Sequence, residues 1–362
     1  MSGYSGYSGY SGYSGYSGYS GYSGYSGYSA VGATDPLIAD ALTKSRSALT
    51  GPFQGATLPF SLPTPLDKPE RLADWAVGPR MAVCALEMLS GLHFDVNQGK
   101  AAVTLGFVNL DKKPLKDLTL ARLVRPNEKI FTQQLDLVAN YAELREDRGA
   151  EVLAQIGGGA AFWASIVGLS THRHKYTLEL LDLAMSLATH VEMRFKHAFA
   201  CARPVELSPQ IQPMIPTPGH ATWPSGHATE AYLTCALLQA LLPHGSKYKE
   251  QLERFAARCA VNRTVAGLHY PIDSAVGRLL GTSLADFFVA RCTGNLKLHE
   301  RGFNGPKFHG PKDTVIDFDP RVSMTDNQSG YYEYAVSASA IAASPLLEFM
   351  WTKAAKEWQP LK

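Results

Sequence analysis

Residues 224–242 read Pro-Ser-Gly-His-Ala-Thr-Glu-Ala-Tyr-Leu-Thr-Cys-Ala-Leu-Leu-Gln-Ala-Leu-Leu. A Ser-Gly step followed by an uninterrupted run of helix-compatible residues predicts a helix over 226–242. Such a start leaves backbone N–H groups free and offers a hydroxyl, and the helix dipole favours an anion there. Gly226 lets a bulky tetrahedral ligand approach the backbone. His227 is placed to give a proton to that ligand or take one from it. Taken alone, the stretch reads equally well as a helix cap with an incidental histidine.

Outward from this helix the same spacing recurs on both sides. It predicts further helices over about 128–155, 159–170, 175–201, 246–265, 271–292 and 344–357. Helical patterning begins near Asp67, with Pro69 in a first-turn position and Leu72, Trp75 and Ala76 following at helical spacing. Residues 101–125 are ambiguous and compatible with a short hairpin. Residues 300–335 are rich in Gly, Pro and Asp and read as irregular, and strand signals are few. The expected fold class is mostly α, a multi-helix bundle.

Three segments are expected along the chain. Residues 1–29 are a tail whose positions 2–28 are nine perfect Ser-Gly-Tyr copies. This repeat has no apolar periodicity and cannot build a core, so it reads as a disordered tail or a Tyr-rich segment that self-associates. Residues 30–66 form an extended Pro/Gly-rich arm, with a short helical stretch at Pro36 to Arg46. Residues 67–362 form the helical, catalytic domain.

The composition narrows the function classes. At 362 residues and 45% hydrophobic, the chain can bury a sizeable core. A net charge of +2 is too small to imply a nucleic-acid partner, so a strong positive field must be local. The five cysteines (Cys84, Cys201, Cys235, Cys259, Cys292) show no metal-ligand spacing and read as buried free thiols. The apolar stretches Gly157 to Leu169 and Ala231 to Leu242 fall short of the roughly 20 residues needed to span a bilayer. No signal peptide is legible in residues 2–28. These features lead to the expectation of a soluble protein without a transmembrane segment, cytoplasmic or exported by a non-classical route.

Two further blocks carry chemistry. Lys196 and Arg203-Pro204 are separated by six residues. Seven positions make two helical turns, so the two cations are expected on one helix face, near an end set by Pro204. Arg263, His269 and Asp273 form the third block. Pro271 should open a helix with Asp273 in its first turn and His269 in the preceding turn. The carboxylate can then take the proton on one ring nitrogen of His269 and leave the other as ligand or nucleophile. Arg263 adds a permanently charged fork for oxygen atoms. Each block alone is weak, but their joint occurrence by chance is on the order of once per million sequences. Three cations, a helix start, a hydroxyl and two histidines suit a tetrahedral oxyanion.

The blocks closely resemble the signature of the type-2 phosphatidic acid phosphatase and vanadium-dependent haloperoxidase superfamily: Lys-x6-Arg-Pro, Pro-Ser-Gly-His, then Ser-Arg-x5-His-x3-Asp. One position departs, since Asn262 stands where the family has serine; it reads as a brace rather than a ligand contact. The resemblance implies one site with two chemistries. In a phosphatase, His269 would attack phosphorus and His227 would protonate the leaving group. In a haloperoxidase, vanadate would be the cofactor. His269 would be its protein ligand at the metal, and Lys196, Arg203, Ser225, Gly226 and Arg263 would hold its oxygens. Hydrogen peroxide, a halide and an organic substrate would be the reaction partners, with Lys196 polarising the peroxide.

His220 and Trp223 resemble the haloperoxidase form of the loop and imply halide tuning toward bromide or iodide. A haloperoxidase is therefore the leading expectation, and a soluble acid phosphatase acting through a phosphohistidine is the alternative. A third reading is a repeat-driven structural or assembly protein. A homo-oligomer is expected, with self-association through residues 2–28 as one route. Outside the blocks, His172 to Lys175 reads as a solvated helix start, His190 and His197 as at most supporting groups, and Tyr331, Tyr332 and Tyr334 as core cover.

Overall fold

A computed structural model describes residues 36–52, 55, 62–110, 115–157, 159–294 and 297–359. The Ser-Gly-Tyr repeat and part of the arm lie outside them. The described residues divide into two compact units, with the division between Lys68 and Pro69. In the first, helix α1 (Pro36–Leu49) covers the helical stretch expected at Pro36 to Arg46.

The second unit begins differently from the expectation of a helix near Asp67. Pro69 caps a short 3-10 turn at Glu70–Asp74, and the first full helix, α2, runs Val77–Leu89. Arg80 braces this break. Its guanidinium donates to the carbonyls of Leu72 and Trp75 and forms a buried ion pair with Glu179, at 2.7 and 2.9 Å. The helical path stops at Trp75, which turns to extended backbone (ψ 149°), and Arg80 holds the Leu72 and Trp75 carbonyls there.

Helices then follow the hydrophobic pattern closely: α3 (Glu128–Tyr141), α4 (Arg145–Ala154), α5 (Ala160–Val167), α6 (Lys175–Phe199), α7 (Pro204–Leu207), α8 (Gly226–Leu241), α9 (Lys249–Val265), α10 (Pro271–Thr293) and α11 (Pro345–Glu357). The single helix expected over 128–155 is two, joined by a 3-10 turn at Ala142–Leu144. α10 is buried on nearly every face, although it carries Asp273, Arg278, Asp286 and Arg291. It lies against α8 at close range. A Cβ on Gly277 would meet the Ala228 side chain at 2.7 Å and the Ser225 carbonyl at 2.8 Å, and one on Gly281 would strike the Thr229 carbonyl. Two glycines one turn apart thus seat the start of α8 on α10.

The sheet was largely hidden in the sequence. Strands β1 (Leu92–Asn97), β2 (Ala102–Val108), β3 (Asp117–Val124), β4 (Lys297–Asn304) and β5 (Tyr332–Ala340) form one sheet in the order β1-β2-β3-β4-β5. All neighbours pair antiparallel except β3 and β4, which are parallel. The ambiguous 101–125 stretch is the β2–β3 hairpin. The irregular reading of 300–335 is corrected at both ends, because β4 and β5 enter it. The miss has a physical cause: β4 lacks apolar alternation, with Leu298 and Phe303 separated by His299, Glu300, Arg301 and Gly302, and its parallel partner β3 lies far away in sequence.

Between these strands Tyr331, Tyr332, Phe303 and Phe308 form an aromatic cluster with ring centroids 4.7–5.9 Å apart. Tyr331 and Tyr332 are buried, as core cover should be. His174 departs from its reading as part of a solvated helix start. It is buried, accepts a hydrogen bond from the Ser170 amide and stacks on Trp358. All five cysteines are buried and free. Among the described residues no single helix is long and apolar enough to cross a membrane.

Candidate active site

The site is assembled from four helix ends. α6 ends at Phe199, where Ala200 takes a left-handed conformation (φ 48°), and Arg203 follows in extended backbone before Pro204 opens α7. The expectation that Lys196 and Arg203 share one helical face is therefore corrected. Arg203 is off the helix, and the chain turns back so that both cations reach the same place. Lys196 Nζ donates to the carbonyls of Ala221 and Thr222, both at 3.1 Å. Arg203 Nε donates to the His220 carbonyl (3.1 Å) and Nη1 to the Leu268 carbonyl (3.0 Å). Both side chains are buried, and burial draws Lys196 down to about 7 and Arg203 to about 10.

α8 starts as its sequence predicts. Ser225 is the N-cap, with Oγ accepting from the Ala228 amide at 3.4 Å, and its own amide donates to the Asp273 carbonyl at 3.1 Å. This last bond ties the start of α8 to the start of α10. His227 Nε2 donates to the Gln155 carbonyl at 3.2 Å, which leaves Nδ1 as its acceptor. Burial, then the Arg263 charge, pushes His227 down to about 3, so the ring is neutral. It lines a small cleft with Gln155, Trp163, Met185, Glu230 and Cys259.

α10 supplies the centre. Asp273 sits in its first turn beside the buried His269, and Asp273 Oδ2 accepts from His269 Nδ1–H at 2.8 Å. The same oxygen accepts from the Tyr270 amide (3.1 Å) and from the Thr222 hydroxyl. Nδ1 is thereby the protonated nitrogen, and the Nε2 lone pair points at Arg203 Nη1, 3.0 Å away. Burial, then Arg203 and Lys196, holds His269 well below the usual imidazole range. Burial also raises Asp273 to about 6 against the hydrogen bonds it accepts.

Arg263, at the end of α9, donates through Nη2 to the Val152 carbonyl (3.0 Å) and Gln155 Oε1 (3.1 Å). Its Nε and Nη1 are buried with no partner among the described residues. Unpaired guanidinium donors at depth are costly unless they serve a ligand. Asn262 braces this arrangement, donating to Glu151 (2.9 Å) and Gln155 (3.0 Å), and so acts behind Arg263, as the sequence implied.

Lys196, Arg203, Ser225, Gly226, His227, Arg263, His269 and Asp273 thus come together, with Lys196, Arg203, His220 and His227 all bearing on His269. His220 joins them through Nδ1, 3.1 Å from Arg203 Nη2, and burial lowers it to about 4. Trp223 is fully buried and packs edge-on against Phe199 (4.7 Å) and near Phe303. His190 and His197 are exposed on α6. Sequence reasoning missed Thr222, Gln155, Glu192 and Glu230. For the two glutamates a signal existed: Glu192 is one turn before Lys196, and Glu230 one turn after His227.

The donor set fits a tetrahedral oxyanion such as phosphate or vanadate, with orphaned donors on Arg263, a glycine at the helix start and one imidazole lone pair. Residues 179–296 match the PAP2 superfamily. The solved transmembrane PAP2 type phosphatidylglycerolphosphate phosphatase from Bacillus subtilis is similar at 18% identity and a TM-score of 0.34, over 44% of this chain and 84% of that one. No curated protein matches the chain.

Proposed function

We propose, from this superfamily match and the converging cations, that residues 179–296 form a tetrahedral-oxyanion enzyme site working as a vanadium-dependent haloperoxidase. One observation carries the oxyanion reading: His269 Nδ1 is fixed by Asp273 while its Nε2 lone pair faces Arg203. An anion paired with Arg203 would meet that lone pair directly. Lys196, Arg203 and Arg263, with the Ser225-Gly226 helix start, would hold its oxygens. Bound there, vanadate would supply Lewis-acid activation of hydrogen peroxide toward a halide, bromide or iodide, for transfer to water or an organic substrate. Asp273 keeps Nε2 unprotonated. The neutral His227, with Nδ1 free to accept, would take a proton at the mouth of the site. Lys196, lowered to about 7, can donate near neutrality.

His220 favours the haloperoxidase over the phosphatase. It is a neutral second imidazole against the anion-binding guanidinium, and would offer a ring N–H, without a charge, to a polarisable anion there. The phosphatase reading uses the same groups, with His269 as nucleophile and His227 as acid, and rests on the superfamily's phosphatase chemistry. A paired assay separates them. One arm supplies orthovanadate, hydrogen peroxide and bromide; the other supplies a phosphate monoester without vanadate. Turnover in the first arm that His269→Ala abolishes supports the proposal. Turnover only in the second transfers the site to phosphatase chemistry, and none in either sinks both. Self-association through residues 2–28 is a separate proposal. Comparing the particle size of the full chain with that of a form lacking the repeat tests it.

A further inference from the structure

Two carboxylates stand among the cations of the site, and neither takes part in the chemistry above. Glu192, on α6, is buried, and its Oε2 has no hydrogen-bond partner among the described residues. Its carboxyl lies over the first residue of α8: a Cβ built on Gly226 would sit 2.8 Å from Oε1 and 3.1 Å from Oε2. That is the place where an oxyanion's oxygen would lean on the helix start. Facing Glu192 are Lys196 one turn along α6, Arg203 from the segment before α7, and Glu230 on α8. Lys196 and Arg263 face Glu230 in turn.

An acceptor in an anion site is a contradiction if it is ionised. Arg203 and Arg263 bring two positive charges, Lys196, drawn down to about 7, brings a third when a bound anion holds it protonated, and the histidines are neutral. Asp273, Glu192 and Glu230, all ionised, would cancel those charges and repel an incoming anion. Neutral glutamates leave two positive charges, the complement of a dianion. Burial, then the neighbouring Glu230, raises Glu192 well above the usual carboxyl range.

We propose that Glu192 meets the bound oxyanion as a neutral carboxylic acid, its Oε2 donating a hydrogen bond to one of the anion's oxygens. The proton stays on Glu192 and no covalent bond changes. The residue converts an unpaired buried acceptor into a donor, and it makes the site selective for anions with a free, basic oxygen. Glu192 is a binding residue here, and Glu230 favours its neutral form because two adjacent carboxyls ionised together would repel each other. This rests on the oxyanion reading of the site.

The test uses the full-length protein and tungstate, a tetrahedral dianion that carries no proton of its own near neutrality. Infrared difference spectra, tungstate-bound minus free, are recorded at pH 7.5. A carbonyl-stretch band of a protonated carboxylic acid should be gained or shifted on binding. It should move on labelling with ¹³C-glutamate and be lost in Glu192→Gln, a change that keeps shape and one donor. Protonation of Lys196 or a histidine produces no such band. A band that is absent, that ignores the label, or that survives in Glu192→Gln and vanishes in Glu230→Gln overturns the proposal. Calorimetry separates the two levels: failure of wild type to bind tungstate refutes the oxyanion reading itself, whereas binding without the glutamate band refutes only the role of Glu192.

Discussion

Replacing Asp273 by asparagine should disable the site without weakening the fold. Asp273 Oδ2 accepts from three donors, namely His269 Nδ1–H, the Tyr270 amide and the Thr222 hydroxyl. Those donors would force the asparagine's Oδ1 into the same position, so His269 keeps its orientation and loses only the charge assistance. A charge-assisted bond of this kind is worth about 1.5–3 kcal/mol. At about 1.4 kcal/mol per factor of ten, the expected fall in kcat is roughly 10- to 150-fold.

Stability should move the other way. Burial holds the Asp273 carboxyl at about 6, above its ordinary 3.8. An acid raised in the folded state binds more protons folded than unfolded. It therefore subtracts stability as pH rises through that window, by roughly 3 kcal/mol once ionised. The asparagine removes this penalty. Its Nδ2, placed where Oδ1 now has no partner, gives back about 1–2 kcal/mol. A net gain of about 1 kcal/mol is about 2 °C in Tm for a domain of this size. Calorimetric melting at pH 7.5 and 5.0, beside a kcat measurement, checks both halves. Tm should be unchanged or slightly higher at pH 7.5, with the difference shrinking at pH 5.0. A Tm several degrees lower with activity lost in proportion, or full activity, would refute the reasoning.

Three further outcomes follow from the same geometry. Gly226→Ala should push the Glu192 carboxyl off the helix start and weaken tungstate binding about tenfold or more by calorimetry, with Tm within about 3 °C of wild type, because only a flexible side-chain end must move. Gly277→Ala should instead cost about 1–3 kcal/mol in chemical denaturation, because its Cβ meets the Ser225 carbonyl, which cannot yield without lifting α8 from α10. Native protein should resist maleimide at neutral pH while all five thiols label in denaturant, since burial raises Cys84, Cys201, Cys235 and Cys259 to about 12 and Cys292 further.

The sequence alone determined the mostly helical class and named most of the side chains that gather at the candidate site. Helix signals are local, resting on spacing within a few turns and on caps such as Ser225, so they survive without knowledge of the fold. The same holds for His269 and Asp273, whose four-residue separation across Pro271 fixes their contact within one turn. Only tertiary structure decided the rest. The five-stranded sheet depends on β3 and β4 meeting across more than 170 residues, which no local pattern encodes. The convergence of Lys196 and Arg203 depends on a left-handed turn at Ala200, where helical spacing pointed to one continuous face. His174, read as solvated, is buried because α11 brings Trp358 onto it. Glu192 and Glu230 look like ordinary surface charges in sequence. The burial of Glu192 and the half-burial of Glu230 among three cations follow from α6 and α8 packing together, and burial is what turns an ordinary carboxyl into a group that can hold its proton.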